Sequence, residues 1–170
     1  MTGGGFFISG EIMKEYINWH ETAEIYNKAE MYEEAIACYD RAIELNPLDD
    51  VAWFHKGYAC FLLDRTVEEL HCYNKALAIN PKNIDALENK GEYLLRMNRD
   101  QEAMVCFDEV IKITERNVCS LFNRGMILKK KGKYWDSLLS FDKGLELCPD
   151  DEDALRCVDE VLRKLVELES

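Results

Sequence analysis

The sequence predicts an all-α protein, a solenoid of four helix hairpins closed by a C-terminal helix. Three observations predict it. Like residues recur every 34 positions: Trp19 and Trp53, Tyr39 and Tyr73, Phe107 and Phe141, and Gly57, Gly91 and Gly125. Each period holds two stretches with apolar residues at i, i+3, i+4 and i+7, the spacing of one helix face. The 170 residues are 48% hydrophobic and 32% charged, which supplies a core and excludes a disordered chain.

The elements follow in order. Residues 1–15 form a leader, partly disordered or the start of the first helix. Its Gly3-Gly4-Gly5 and Phe6-Phe7-Ile8 lack the basic start and the apolar length of a signal peptide. Ser9 is placed to cap a helix running from about Gly10 into the first repeat, with Ile12, Tyr16 and Trp19 on one side. Phe6 and Phe7 have a second reading, as plugs for an apolar groove of the same or a neighbouring chain. Four repeats occupy 16–49, 50–83, 84–117 and 118–151. In the second, helices are expected over Val51 to Leu63 and Val67 to Ile79, and the link Asp64-Arg65-Thr66 is short enough for antiparallel packing. Pro47, Pro81 and Pro149 end second helices. The acids Asp150 to Asp153 then suit the N-terminus of a last helix. Ala154, Leu155, Val158, Val161, Leu162 and Leu165 make its apolar stripe, so 152–170 caps the stack.

Residue size gives the period its physical reason. Gly57, Gly91 and Gly125 in first helices, and Ala35, Ala42, Ala76 and Ala103 in second helices, let helix axes approach closely. Trp19, Trp53, Tyr39, Tyr73, Phe107 and Phe141 fill the space between hairpins. Burying one such ring contributes about 2–3 kcal/mol. A single hairpin cannot cover its own apolar face, so neighbours must stack.

The pattern is identified as that of the tetratricopeptide repeat (TPR), Trp-x2-Leu-Gly-x2-Tyr…Ala-x3-Phe…Pro. The first repeat resembles it through Trp19, Tyr26, Ala35, Tyr39, Ala42 and Pro47, and the second through Trp53, Gly57, Tyr73, Ala76 and Pro81. Gly91, Ala103 and Phe107 carry it in the third, and Gly125, Phe141 and Pro149 in the fourth. The resemblance covers 16–151, and 152–170 is similar to the first helix of a fifth unit. Departures are Ala23 for glycine, Glu69 and Ser137 for the first alanine of the second helix, Gly144 for the second alanine, and Glu115 for proline. They bear on local packing, mostly near Glu69. The resemblance implies a right-handed superhelix whose first helices line a concave groove for an extended peptide or a partner helix.

Composition and spacing exclude other classes. With 33 acids against 21 bases, the net charge of −12 argues against binding nucleic acid. The acid excess lies at the ends: ten acids and three bases in 1–49, eight and three in 149–170, and fifteen of each between. Such ends oppose end-to-end stacking of identical chains. No apolar run is long enough to span a bilayer. Seven cysteines are too few, and odd in number, for a secreted disulfide scaffold. Together with the lack of targeting signals, they point to a reducing cytoplasm.

Candidate chemistry reads as structure. Cys38, Cys72 and Cys106 lie 34 apart and are packing positions rather than metal or disulfide sites. His20 and His55 fall in first helices, but His20-Glu21-Thr22-Ala23-Glu24 ends in glutamate where a zinc-protease string needs a second histidine. They read as groove residues, and His71 as a surface one. Lys129-Lys130-Lys131 with Lys133 suits a helix C-terminus, with contact to an acidic partner as the lesser reading. No phosphate loop, nucleophile elbow or calcium-loop spacing occurs. The chain is expected to be no enzyme and to hold no metal or cofactor.

The groove is where function is expected. The family's phase places Phe54, His55, Tyr58 and Phe61 of the second repeat on it, Asn89 and Glu92 of the third, and Phe122, Asn123 and Met126 of the fourth. Large apolar groups at Phe54, Tyr58, Phe61, Phe122 and Met126 are anchor types that interfaces favour. Glu21, Glu24, Asp85, Glu88 and Glu92 add an acidic lining. The expectation is an adaptor or scaffold, a monomer or weak dimer, whose protein or peptide partner is apolar with basic character. The alternative is a structural protein that dimerises through the terminal helix or the leader. TPR modules that clamp acidic chaperone C-termini use Lys and Asn at the fifth and ninth positions, then Asn, then Lys and Arg. In this chain those registers give His20, Glu24, His55, Asp85 and Asn89, or Phe54, Tyr58, Asn89, Cys119 and Asn123, and neither is a cationic clamp. Such tails are expected not to bind tightly; titration with a short acidic C-terminal peptide checks this, and micromolar affinity would refute it.

Overall fold

The computed structural model describes residues 10–169. The Ser9 cap and the groove-plugging reading of Phe6 and Phe7 lie outside the described residues. Among the described residues the chain forms nine α-helices and no strand. They are α1 (Gly10–Lys28), α2 (Tyr32–Leu45), α3 (Asp50–Leu62), α4 (Thr66–Ile79), α5 (Ile84–Arg96), α6 (Asp100–Ile113), α7 (Val118–Lys130), α8 (Tyr134–Leu147) and α9 (Glu152–Glu169). The chain divides into two compact units, Met1–Ala86 and Leu87–Ser170. In the first, α1 packs on α2, α2 on α3 and α3 on α4. In the second, α6 packs on α7, α7 on α8 and α8 on α9.

The 34-residue period reaches down to single hydrogen bonds. Each turn from a first to a second helix places one residue in the left-handed region: Glu30, Asp64, Asn98 and Gly132, with φ of 60°, 57°, 57° and 72°. The next residue's N–H then reaches back five positions to close the helix. Met31 donates to Tyr26 O at 2.9 Å, Arg65 to Cys60 O at 2.8 Å, Arg99 to Leu94 O at 2.8 Å and Lys133 to Leu128 O at 2.9 Å. Only the fourth turn uses glycine; Glu30 holds the same conformation at a cost of about 1–2 kcal/mol. Following first helices are capped at the same interval. Side-chain oxygens of Asp49, Asn83, Asn117 and Asp151 accept from the N–H of Ala52 (3.1 Å), Ala86 (2.9 Å), Ser120 (2.7 Å) and Ala154 (2.9 Å). The acidic run before α9 thus contributes its cap through Asp151.

Within each hairpin, the second helix lays one ring on the first. Tyr39, Tyr73, Phe107 and Phe141 are fully buried, whereas Trp19 and Trp53 are half-buried at the edge of the cluster around Tyr39. The rings lie so close that a Cβ added at Gly57, Gly91 or Gly125 would stand 2.7, 2.7 or 2.6 Å from ring carbons of Tyr73, Phe107 or Phe141. Cys38, Cys72, Cys106 and Ser140 share one register and are all buried. The departures from the repeat resolve individually. Ala23 is buried in the cluster around Tyr39. Glu69 is buried, and the buried Ser137 hydroxyl donates to Gly125 O at 2.8 Å. At Gly144 an added Cβ would meet only Leu121 Cβ, at 3.9 Å.

The two kinds of buried glycine should respond oppositely to alanine. Gly125→Ala overpacks the Phe141 ring and should cost about 1–3 kcal/mol. Gly144→Ala fills open space in a helix interior and should stabilise by about 0.5–1 kcal/mol. Urea titration followed by circular dichroism checks both signs.

Candidate functional site

In Met1–Ala86 the first helices α1 and α3 bring aromatic side chains together in one continuous ladder. The His20 ring lies 5.9 Å from Tyr39, which stacks on His55 at 5.8 Å. His55 lies 5.0 Å from Phe54, Phe54 lies 6.5 Å from Tyr58, and Tyr58 lies 6.0 Å from Phe61. The ladder runs from core to solvent. Phe54 and His55 are half-buried, with Phe54 also stacked on buried Tyr73 at 6.1 Å, whereas Tyr58 and Phe61 are 39% and 36% exposed. Tyr58 and Phe61 therefore present apolar area to solvent. Phe54 partly serves the hairpin's own packing.

The two histidines sit 6.4 Å apart, and His20 Nδ1 lies 3.6 Å from Glu24. Burial pushes the His55 imidazole below its ordinary range and His20 adds to this, while Glu24, Asp85 and Asp49 pull the other way. Among the described residues no three His, Cys, Asp or Glu side chains come together as a metal site. His71 is exposed, with its ring against Trp53 at 5.9 Å.

In Leu87–Ser170 the expected residues divide. Asn89 and Glu92 lie on α5, where burial and the neighbouring Glu88 raise the Glu92 carboxyl above its usual range and Arg96 opposes this. Phe122, Asn123 and Met126 on α7 are half-buried and line a cavity of about 820 Å³. Its apolar side comes from Leu95, Phe122, Met126, Ile127 and Tyr134, and its rim carries Lys129, Lys130, Arg163 and Lys164 beside Asp100, Glu160 and Glu167. Asn89 and Glu92 are not part of its lining.

Phe122 and Met126, expected as groove anchors, also serve the core. Both pack on the buried cluster of Leu138, Phe141, Cys157 and Val161, because α9 lies against α8 and the end of α7. Phe122 stands 5.7 Å from Phe141, and the Cys157 thiol lies 3.4 Å from Met126 Sδ. The sequence predicts α9 as a cap or a dimer contact and not as a wall of the cavity. The signal was present: Glu160, Arg163 and Lys164 hold the ninth, twelfth and thirteenth positions of a fifth 34-residue unit, the phase used for the other four.

The basic cluster is mostly consumed within the unit. Lys129 pairs with Glu160 at 2.8 Å, Lys130 with Asp100 at 2.6 Å, and Lys131 donates to Gln101 Oε1 at 2.6 Å. Its helix-terminal position was expected; its role as a tie from α7 to α6 and α9 was not.

Family models described as tetratricopeptide repeat match residues 19–48, 51–83 and 72–104. The chain is a tetratricopeptide repeat protein. Solved structures of the same architecture include one described as MamA protein, with TM-score 0.80, 11% identity and coverage of 88% of this chain and 82% of that one. Another is YrrB, described as a TPR protein with an unusual peptide-binding site, with TM-score 0.78, 23% identity and coverage of 89% and 78%. A third is MamA from Desulfovibrio magneticus RS-1, with TM-score 0.74, 16% identity and coverage of 91% and 95%. These likenesses establish the fold class, an α-solenoid of helical repeats. No curated protein matches the chain by sequence. No helix among the described residues is long and apolar enough to cross a membrane.

The lowered His55 pKa makes a pH prediction for Met1–Ala86. A histidine that prefers to stay neutral in the folded state takes up its proton more readily when unfolded. Its contribution is therefore present above about pH 6.5 and is lost as pH falls below it. His55→Asn should lose less stability than wild type between about pH 7 and pH 5.5, read as the urea midpoint at each pH; equal losses would remove His55 as the cause.

Proposed function

We propose that this chain is a non-enzymatic protein–protein interaction module, an adaptor or scaffold of four TPR hairpins, at 16–49, 50–83, 84–117 and 118–151, plus a capping helix over 152–170. It holds an extended peptide or a partner helix against the faces of its first helices. The observation that carries this reading is the cavity on α7 and α9 in Leu87–Ser170. At about 820 Å³ it accommodates large side chains, and its floor of Phe122, Met126, Ile127 and Tyr134 is apolar. Asn123 at its wall supplies an amide that can both donate to and accept from a peptide backbone. The exposed Tyr58 and Phe61 of α3 offer a second set of anchors in Met1–Ala86. YrrB, of the same fold, is described as binding a peptide, which supports a polypeptide as the ligand.

The partner's charge follows from what is already neutralised. Lys129 and Lys130 spend their charge on Glu160 and Asp100, so they leave no anion clamp for an acidic tail. On α5 burial and the nearby Glu88 raise the cost of ionising Glu92, and a partner cation beside Glu92 relieves it. An apolar segment with basic flanks is the ligand these surfaces favour, and nucleic acid, membrane and acidic chaperone tails are not.

A peptide library with apolar centres flanked by Lys and Arg, and its counterpart flanked by Asp and Glu, tests the proposal. Basic-flanked peptides should be retained and acidic-flanked ones should not. Tyr58→Asp combined with Asn123→Asp should abolish retention with helicity unchanged, because neither side chain is buried. Retention unaffected by the double variant would place the site elsewhere.

A further inference from the structure

The apolar stripe expected to seal α9 against the stack is in fact two stripes. Ala154, Cys157 and Val161 are buried, and Val158 and Leu165 are half-buried beside them. Leu155 and Leu162 are instead 46% and 45% exposed, and Val166 is exposed beside them on the same helix face. Residues one period earlier show what this face does elsewhere in the fold. Leu121 and Leu128, 34 positions before Leu155 and Leu162, are 1% and 2% exposed on α7, which packs on α8. Among the described residues no second helix packs on the equivalent face of α9.

The residue at the centre of that face decides what can cover it. Asp159 stands 34 positions after Gly125, where the second helix comes so near that an added Cβ would lie 2.6 Å from the Phe141 ring. A carboxylate there has no room beneath such a ring and would be buried without a partner. A second helix docked as in the other hairpins is thus excluded. What fits is a helix held farther off that brings a cation to Asp159.

We propose that the Leu155–Leu162–Val166 face of α9 pairs with the same face of a second copy of this chain, antiparallel about a two-fold axis near residues 160 and 161. In that arrangement Leu155 of one copy meets Val166 of the other, and the two Leu162 side chains lie on either side of the axis. Asp159 of each copy lies beside Arg163 of the other, so the two-fold makes the pair twice. Both groups are exposed, and neither has an ion-pair partner among the described residues. The charge pattern is self-complementary when antiparallel; in parallel register Asp159 would face Asp159. Two helices bury little area and the C-terminal segment is acidic, so the dimer is weak and depends on concentration. The groove lies on the Glu160–Arg163–Lys164–Glu167 side of α9, so the pairing shares Arg163 with its rim and leaves its apolar floor untouched.

Sedimentation velocity of the full chain over a wide concentration range, with circular dichroism as a check on folding, tests the proposal. The wild type should pass from monomer to dimer as concentration rises. Leu162→Glu, at an exposed position, should weaken dimerisation by at least about tenfold with unchanged helicity. Asp159→Arg and Arg163→Asp should each weaken it, and the double exchange should restore it. A wild type that stays monomeric throughout, a Leu162→Glu chain that still dimerises, or an exchange that fails to restore association would each overturn the proposal.

Discussion

The fold depends on one contact made again and again: an aromatic ring set against a helix backbone where no side chain intervenes. Gly57, Gly91 and Gly125 leave that space, and Tyr73, Phe107 and Phe141 fill it. The contact sets the distance between the two helices of a hairpin. It also fixes their rotation, because the glycine must face the ring. Once rotation is fixed, every other position in the 34 residues has an assigned side. In α3 and α7 one side meets the helix's own second helix, another meets the preceding hairpin, and the remainder is left to solvent. That remainder carries Tyr58 and Phe61 in one unit and the α7 wall of the cavity in the other.

Most of this was legible because it is periodic. The second hairpin was expected over Val51 to Leu63 and Val67 to Ile79, and α3 and α4 span Asp50–Leu62 and Thr66–Ile79. Capping by Asp49, Asn83, Asn117 and Asp151 was equally periodic, but drew notice only where an acidic run marked it. The left-handed turn residues were harder to see. Gly132, Asn98 and Asp64 are residue types that accept this conformation, whereas Glu30 carries no sign of it. Tertiary closure imposes the conformation on Glu30 against local preference.

The site was less legible, for a reason particular to α9. Its apolar residues cover more of the helix circumference than one packing contact consumes. Periodicity shows that Leu155 and Val161 are apolar and on nearby faces; it does not show that Val161 is sealed while Leu155 is not. The same ambiguity runs the other way at Phe122 and Met126. They occupy groove registers, yet α9 uses part of each as a core surface. A side chain at the border of two faces can serve both, and only the neighbouring helix divides it between them.

Departures from the repeat therefore separate into two kinds, and burial tells them apart. Ser137 and Gly144 break the pattern inside a hairpin that still closes, the first by donating to a backbone carbonyl and the second by leaving a space that a methyl would fill. Both are buried, and both are variations on a packing already fixed by Phe141. Asp159 breaks it at the one position where every preceding hairpin requires a small residue, and there the helix face stays open. A charged side chain at a close-approach position does more than weaken a contact, because it removes the geometry on which the repeat is built. The face that Asp159 keeps open on α9 thus has a shape and charge unlike any face the hairpins use among themselves.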